Sequence, residues 1–193
     1  MPSIDVFDFD KTIYDGDSTI DFYLFCLRRH PKCILYLPKQ VLHALRYRLK
    51  KEQLLTFKES FFSFLKEIED VGQEVELFWK QYQRKIKPWY KQYDRQSRSQ
   101  LIISASPYFL IKPIGDLLMV EDVIASEVDP KTGQFNSPNC AKEEKVRRFK
   151  EKYPKLKIQH FYSDSISDLP MAKLAAESYW VKKNEVTLWE IED

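Results

Sequence analysis

The first apolar run of this 193-residue chain ends in two carboxylates two residues apart: Ile4-Asp5-Val6-Phe7-Asp8-Phe9-Asp10-Lys11-Thr12. Like charges at the end of a buried strand repel each other and resist desolvation. A cation should compensate Asp8 and Asp10, and Mg²⁺ fits, because hard ions are held by one or two carboxylates together with substrate phosphate oxygens. An Asp-x-Asp can also serve only to end a strand and start a turn. Its meaning comes from three further pieces that follow in order. Leu101-Ile102-Ile103-Ser104-Ala105-Ser106-Pro107 is a short apolar strand ending in hydroxyls. Lys145 opens the helical run Lys145-Val146-Arg147-Arg148-Phe149. Ile158-Gln159-His160-Phe161-Tyr162-Ser163-Asp164 is another strand with an acidic end, and Asp168-Leu169-Pro170 follows it.

In this order the four pieces resemble the motifs of the haloacid dehalogenase-like hydrolase superfamily, in the subfamily typified by phosphoserine phosphatase. The matching positions are Asp8-Phe9-Asp10-Lys11-Thr12, Ser104, Lys145, and Asp164 with Asp168, spread over nearly the whole chain. The resemblance implies a phosphomonoesterase in which Asp8 is the nucleophile and becomes an aspartyl phosphate. It implies that Asp10 protonates the leaving alcohol and then activates water, which requires a pKa displaced toward the operating pH. A phosphate dianion repels an anionic nucleophile, so that attack needs a metal to neutralise both partners. By the same resemblance Mg²⁺ is held by Asp8, the backbone carbonyl of Asp10, and Asp164. Asp168 sits nearby, through water or orienting ligands and Lys145. Ser104 donates to a phosphoryl oxygen and Lys145 supplies compact positive charge. Lys142 competes with Lys145 for that role; the Val-Arg-Arg-Phe run after Lys145 favours the latter. Two positions depart from the glycines common in the family, Lys11 and Ser163, and Ser163 calls for backbone that does not need φ > 0. Ser106 with Pro107 reads as an N-cap followed by a first-turn proline. Asp17 reads as a loop acid placed where a substrate contact could lie, and His30, His43 and His160 as structural.

Strand signals near 4–9, 100–104, 122–126, 158–163 and 178–182 alternate with helical stretches, as in a parallel α/β sheet. The expected architecture is a Rossmann-like parallel-sheet core with a helical cap inserted after the first strand. About 85 residues without a convincing strand separate the first two signals, far more than a crossover needs. Residues 19–29, 34–50, 52–70 and 73–94 read as helices there. The domain expectation is therefore a catalytic core of 1–14 with 98–193, and a cap of 15–97. Helices are expected from Ser106 to 118 and from Asp168 to 176, a hairpin over 128–135, and a short helix or frayed tail over 184–193.

Composition, 44% hydrophobic and 31% charged, excludes a disordered chain. No apolar run is long enough for a transmembrane helix, and Met1-Pro2-Ser3 leads straight into a strand with no secretory signal. Cys26, Cys33 and Cys140 have neither metal-binding nor redox spacing. Reduced structural thiols and a cytoplasmic location are the corresponding expectation. The net charge of +2 is uneven: residues 28–58 carry nine basic side chains against Glu52, leaving the remainder at −6. Residues 34–51 form a basic amphipathic stretch. Such a helix can lie on an anionic bilayer, and the layout also resembles the bacterial phosphatidylglycerophosphate phosphatases of the superfamily. The simpler expectation is that its apolar face packs inside the cap and its charges are solvated. A small phosphorylated substrate is then the expected partner. Nucleic acid is not expected, because no binding motif accompanies the charge. A phosphate-binding module without turnover is the remaining alternative; it would have no need of Asp10.

Overall fold

The computed structural model describes residues 3–93 and 98–191. Its six strands are β1 (Ser3–Phe7), β2 (Ser99–Pro107), β3 (Asp122–Ser126), β4 (Lys157–Ser163), β5 (Ala175–Lys182) and β6 (Glu185–Leu188). They form one sheet in the order β3-β2-β1-β4-β5-β6, parallel except for the antiparallel β5–β6 pair. The strand with the Asp-x-Asp is thus central. Ile4 and Val6 enter one apolar layer and Phe7 the other, as expected of a parallel strand covered on both faces. This is the Rossmann-like α/β class expected from the alternation of signals.

Between β1 and β2 the described residues contain no strand, only isolated bridges of Tyr14 with Asp10 and Ile86, and the helices α1 (Ser18–Arg29), α2 (Leu37–Arg48), α3 (Leu54–Phe62), α4 (Val71–Tyr82) and α5 (Pro88–Lys91). The single helices expected over 34–50, 52–70 and 73–94 are each interrupted. Residues 31–36 and 63–67 are 3-10 turns. Pro88 forces Lys87 into extended backbone (φ −64°, ψ 143°) and separates α4 from α5. The expected helix end at Asp94 and the expected boundary at 97/98 lie at or beside residues outside the described ones. The inserted helices do not pack alone. The Trp79 indole N–H donates to the Leu110 carbonyl at 2.7 Å, and a single apolar cluster joins Phe22, Phe78 and Trp79 to Phe7, Leu110 and Ile111. The 128–135 segment closes through one antiparallel bridge, Val128 to Phe135. Gly133, at φ +75°, lies so close to the Phe62 carbonyl that any Cβ would collide with it. The Phe135 N–H donates to Glu59 at 3.1 Å, so this loop fixes α3 over the carboxyl ends of the strands.

After β2 come α6 (Tyr108–Leu117), α7 (Glu143–Lys152) and the short α8 (Leu169–Ala172). Three expectations here are corrected. The helix after β2 starts at Tyr108, because Pro107 is extended (ψ 137°) and still paired with Ser126 across a bulge, so Ser106 caps nothing. The helix expected to run to 176 stops at Ala172, and Ala175 pairs with Ile158 as the start of β5. The tail is neither helical nor frayed through residue 188; it is β6, with Val186 paired to Val181.

The expectation for residues 34–51 is overturned. Gln40 is the buried residue of α2 and bonds to the Tyr23 hydroxyl and the Phe61 carbonyl. His43 on the same helix pairs with Glu52 at 2.8 Å. These polar contacts turn the Leu and Val side chains outward: Leu37, Val41, Leu42, Leu45 and Leu49 are exposed. No helix among the described residues is long and apolar enough to cross a membrane.

Candidate active site

In an open parallel sheet the usable crevice lies beyond the carboxyl ends of the strands. Here β1, β2 and β4 deliver Asp8, Ser104 and Asp164 to one cleft of about 360 Å³, and α7 adds Lys145. The Lys145 Nζ is 2.7 Å from Asp8 Oδ1 and 2.8 Å from Asp168 Oδ2, and all three side chains are buried. Burial alone would push the ammonium down, but the Asp8 and Asp168 carboxylates more than offset it and hold Lys145 charged. One ammonium facing two carboxylates cannot compensate both. Asp8 is pushed above the usual carboxylate range, first by burial and further by Asp168, against the pull of Lys145. The Asp168 carboxylate also accepts from Ser163 Oγ at 2.8 Å. Ser163 itself is not among the residues with positive φ, whereas Lys11 is, at φ 58°. Lys142, the competing lysine, is exposed at the N-terminus of α7.

The Asp10 carboxylate is held at both oxygens. The Ser18 N–H, at the start of α1, donates to Oδ1 at 2.6 Å, and Ser106 Oγ donates to Oδ2 at 2.5 Å. Burial pushes Asp10 up, with Asp17 adding to the effect and these donors opposing it, and the group settles at about 6. Such a carboxyl can give and take a proton near neutrality. Asp17 is the N-cap of α1, accepting from the Ile20 N–H at 3.0 Å, and its side chain also reaches the cleft.

Thr12 ties the first motif to the last. Its hydroxyl lies 3.2 Å from Asp8 Oδ2 and 3.5 Å from Asp164 Oδ1, and it accepts from the Asp164 N–H at 3.0 Å. Burial raises Asp164 as well, partly offset by Lys11 and Lys87. Asp8 and Asp164 therefore meet at one hydroxyl, both short of positive charge, which suits a divalent cation. No cluster of three His, Cys, Asp or Glu side chains suited to a metal occurs among the described residues. A cation here would depend on these two carboxylates and a backbone oxygen such as that of Asp10.

Three residues escaped the sequence reading. Ser106 was expected to be a cap and instead holds Asp10, because the bulge at the end of β2 lets its side chain face β1. Its N–H donates to Ser104 Oγ at 3.1 Å, and its Oγ lies 2.9 Å from that of Thr19. Thr12 was quoted in the motif without a role. Lys58 brings a cation to the cleft from the inserted helices. It enters the cleft from α3, with Nζ 2.6 Å from Asn139 Oδ1 and 3.3 Å from the Ala105 carbonyl. Burial pushes its ammonium down to about 8, opposed by the carboxylates of Asp17 and Asp10. The available signal was a lysine on the apolar face Phe57-Lys58-Phe61-Phe62. His30, His43 and His160 each pair with a carboxylate away from the cleft, consistent with structural roles.

Residues 6–173 match the family model described as haloacid dehalogenase-like hydrolase. A comparison with curated protein sequences finds no match. Among solved structures, a protein of unknown function from Bordetella pertussis Tohama I aligns with a TM-score of 0.73 at 18% identity, over 92% of this chain and 89% of that one. A phosphoserine phosphohydrolase-like protein from Francisella tularensis aligns at 0.56 and 16% identity, over 92% and 86%. A probable phosphoserine phosphatase from Vibrio cholerae aligns at 0.62 and 12% identity, over 92% and 55%. At these identities the structural likeness establishes the fold, and the family match covers all four motif positions. The chain belongs to the haloacid dehalogenase-like hydrolases.

Proposed function

We propose that this chain is a Mg²⁺-dependent phosphomonoester phosphatase that works through an aspartyl phosphate on Asp8 and acts on a small organic phosphate. The observation that carries this reading is the Lys145 ammonium shared between Asp8 and Asp168, beside an Asp10 carboxyl poised at about 6. The phosphoserine phosphatase-like names of structurally similar proteins agree with it. Asp8, Asp164 and the Asp10 backbone carbonyl would hold Mg²⁺. When bound, the ion supplies the charge that lets a carboxylate approach a phosphate dianion. The remaining work belongs to the chain. An Asp8 oxygen attacks phosphorus as the bond to the leaving oxygen breaks, and Asp10 gives that oxygen its proton. The Asp10 carboxylate then takes a proton from water; the hydroxide attacks phosphorus and Asp8 leaves. Lys145 and the Ser104 hydroxyl stabilise the charge on the non-bridging oxygens. Thr12 and Asp168 fix the carboxylate and the ammonium. Lys58 lines the same cleft within the field of the proton-donating Asp10, which would favour an anionic or strongly polar leaving group. A phosphate-binding module without turnover would have no use for a proton-exchanging carboxyl at Asp10.

Hydrolysis of an aryl phosphate tests the reading. Activity should vanish with chelator, return with Mg²⁺, and be absent in Asp8→Asn. Full activity in excess chelator, or a near-native rate for Asp8→Asn, overturns it.

A further inference from the structure

We infer that the outward face of residues 34–49 is a docking surface for an anionic lipid bilayer. Three observations carry the inference, and none depends on the chemistry of the cleft.

The first is that α2 and the turn before it are polar inside and apolar outside. The inward positions are Gln40, bonded at both ends of its amide, and His43, paired with Glu52. The outward positions are Ile34, Leu35, Leu37, Val41, Leu42, Leu45 and Leu49, between 41% and 72% exposed. Spacings of three and four residues make this a continuous helical stripe. A helix normally buries such a stripe against its own core. Here the inward hydrogen bonds fix the opposite rotation, so only an external apolar medium can cover it.

The second is charge. Lys32, Lys39, Arg46, Arg48, Lys50 and Lys51 are all exposed around the stripe. Glu52 is the acid in this part of the chain, and its side chain is 9% exposed against His43. Aliphatic side chains rimmed by lysine and arginine, without acids, match an anionic headgroup layer over acyl chains. A second copy would bring two strongly basic segments together. Protein interfaces are depleted in lysine, which rims this face throughout, and its exposed aromatic, Tyr47, is held flat by stacking on Phe57 at 5.3 Å and 7°.

The third is position. Phe57 lines the catalytic cleft, and the exposed Leu54 and Leu55 extend the stripe along α3 toward it. A bilayer covering this face would lie beside the cleft entrance.

The test is cosedimentation of the full chain with vesicles of phosphatidylglycerol mixed with phosphatidylcholine, compared with phosphatidylcholine alone. Binding is expected on the anionic vesicles at low salt, weakening as salt rises. The double variant Leu42→Ser with Leu45→Ser should bind at least about tenfold more weakly, since each substitution removes an apolar group from the buried face. Both positions are exposed, so its melting temperature should be unchanged; this separates lost docking from lost folding. No binding to anionic vesicles at low salt overturns the inference. So does binding that the double variant leaves intact, which would be charge attraction alone. Self-association in sedimentation velocity that the double variant abolishes, without vesicle binding, would assign the face to a second copy and also overturn it.

Discussion

Replacing Lys145 with alanine is the most demanding test of the proposed site, because one ammonium serves two buried carboxylates. In the wild type its Nζ lies 2.7 Å from Asp8 and 2.8 Å from Asp168. Deleting it leaves both acids facing each other without a cation. Removing one partner of a buried ion pair costs about 3–5 kcal/mol. Against a total stability of about 5–15 kcal/mol, that is a fifth or more of what holds the fold together. The melting temperature should fall steeply, and Asp8 should move further above its ordinary range. Loss of one preorganised electrostatic donor costs about 2–4 kcal/mol in the transition state, or roughly 30- to 1,000-fold in kcat/KM. Steady-state hydrolysis of an aryl phosphate with excess Mg²⁺, below the variant's melting temperature, measures this. Lys145→Met keeps the length of the chain without its charge, and separates electrostatic loss from the cavity that alanine would leave. Lys142→Ala, at an exposed position of the same helix, is the control and should change kcat/KM by less than about threefold, well under 1 kcal/mol. If Lys142→Ala were the more damaging variant, or if Lys145→Met kept a near-native rate, the reasoning from the buried ion pairs would be refuted.

Three further outcomes follow from the same geometry. In the metal-free protein Asp10 is raised to about 6 from 3.8, so the folded state holds a proton that the unfolded chain gives up. Stability from this group is complete below about 4 and is lost as pH rises through about 6; Asp8, a proposed Mg²⁺ ligand, is likewise raised by burial, to about 7, so Mg²⁺ should raise the melting temperature more at pH 8 than at pH 5.5, and an equal shift at both would count against carboxylate ligation. Ser106→Ala removes a donor from the ionised form of Asp10, so the Asp10 limb of the kcat–pH profile should move upward and kcat fall by about tenfold, roughly the 1.5 kcal/mol of a hydrogen bond to a charged group; an unmoved limb would show that Ser106 does not tune Asp10. Lys11 sits at φ 58°, so Lys11→Gly should leave chemical-denaturation stability within about 1 kcal/mol, whereas Lys11→Val should lose about 1–2 kcal/mol.

The sheet was legible wherever an apolar run stood between turn signals, as in Ile4–Phe7 and Val123–Ala125. It failed where pairing overrides local preference. Ala175-Ala176 reads as the end of a helix, yet its register with β4 makes it strand. Glu185-Val186-Thr187-Leu188 is too short to declare itself without a partner. Periodicity revealed the stripe on α2 but not its direction, because direction depends on where Gln40 and His43 find partners. In the site, the spacing of motifs along alternating strands brings Asp8, Ser104, Lys145 and Asp164 together. The work of Ser106 depends on a bulge, that of Thr12 on the approach of β4, and that of Lys58 on the docking of α3. None of these is written in a local pattern.

The last strand, β6, also has a consequence for the chain in solution. β5 is eight residues long, and without a neighbour its outer side would present a row of unpaired N–H and carbonyl groups. β6 covers four of those positions in the antiparallel sense, and Trp189 follows on, donating its N–H to the Ser178 carbonyl at 2.8 Å and packing edge-on against Trp180. The sheet thus ends in a brief strand bearing Glu185, beside Lys182 and Lys183, rather than in a long apolar template. A chain cut after Lys183 would keep every residue assigned to the cleft and still uncover that template. Its expected failure is strand-to-strand aggregation between molecules, with the chemistry of the cleft untouched.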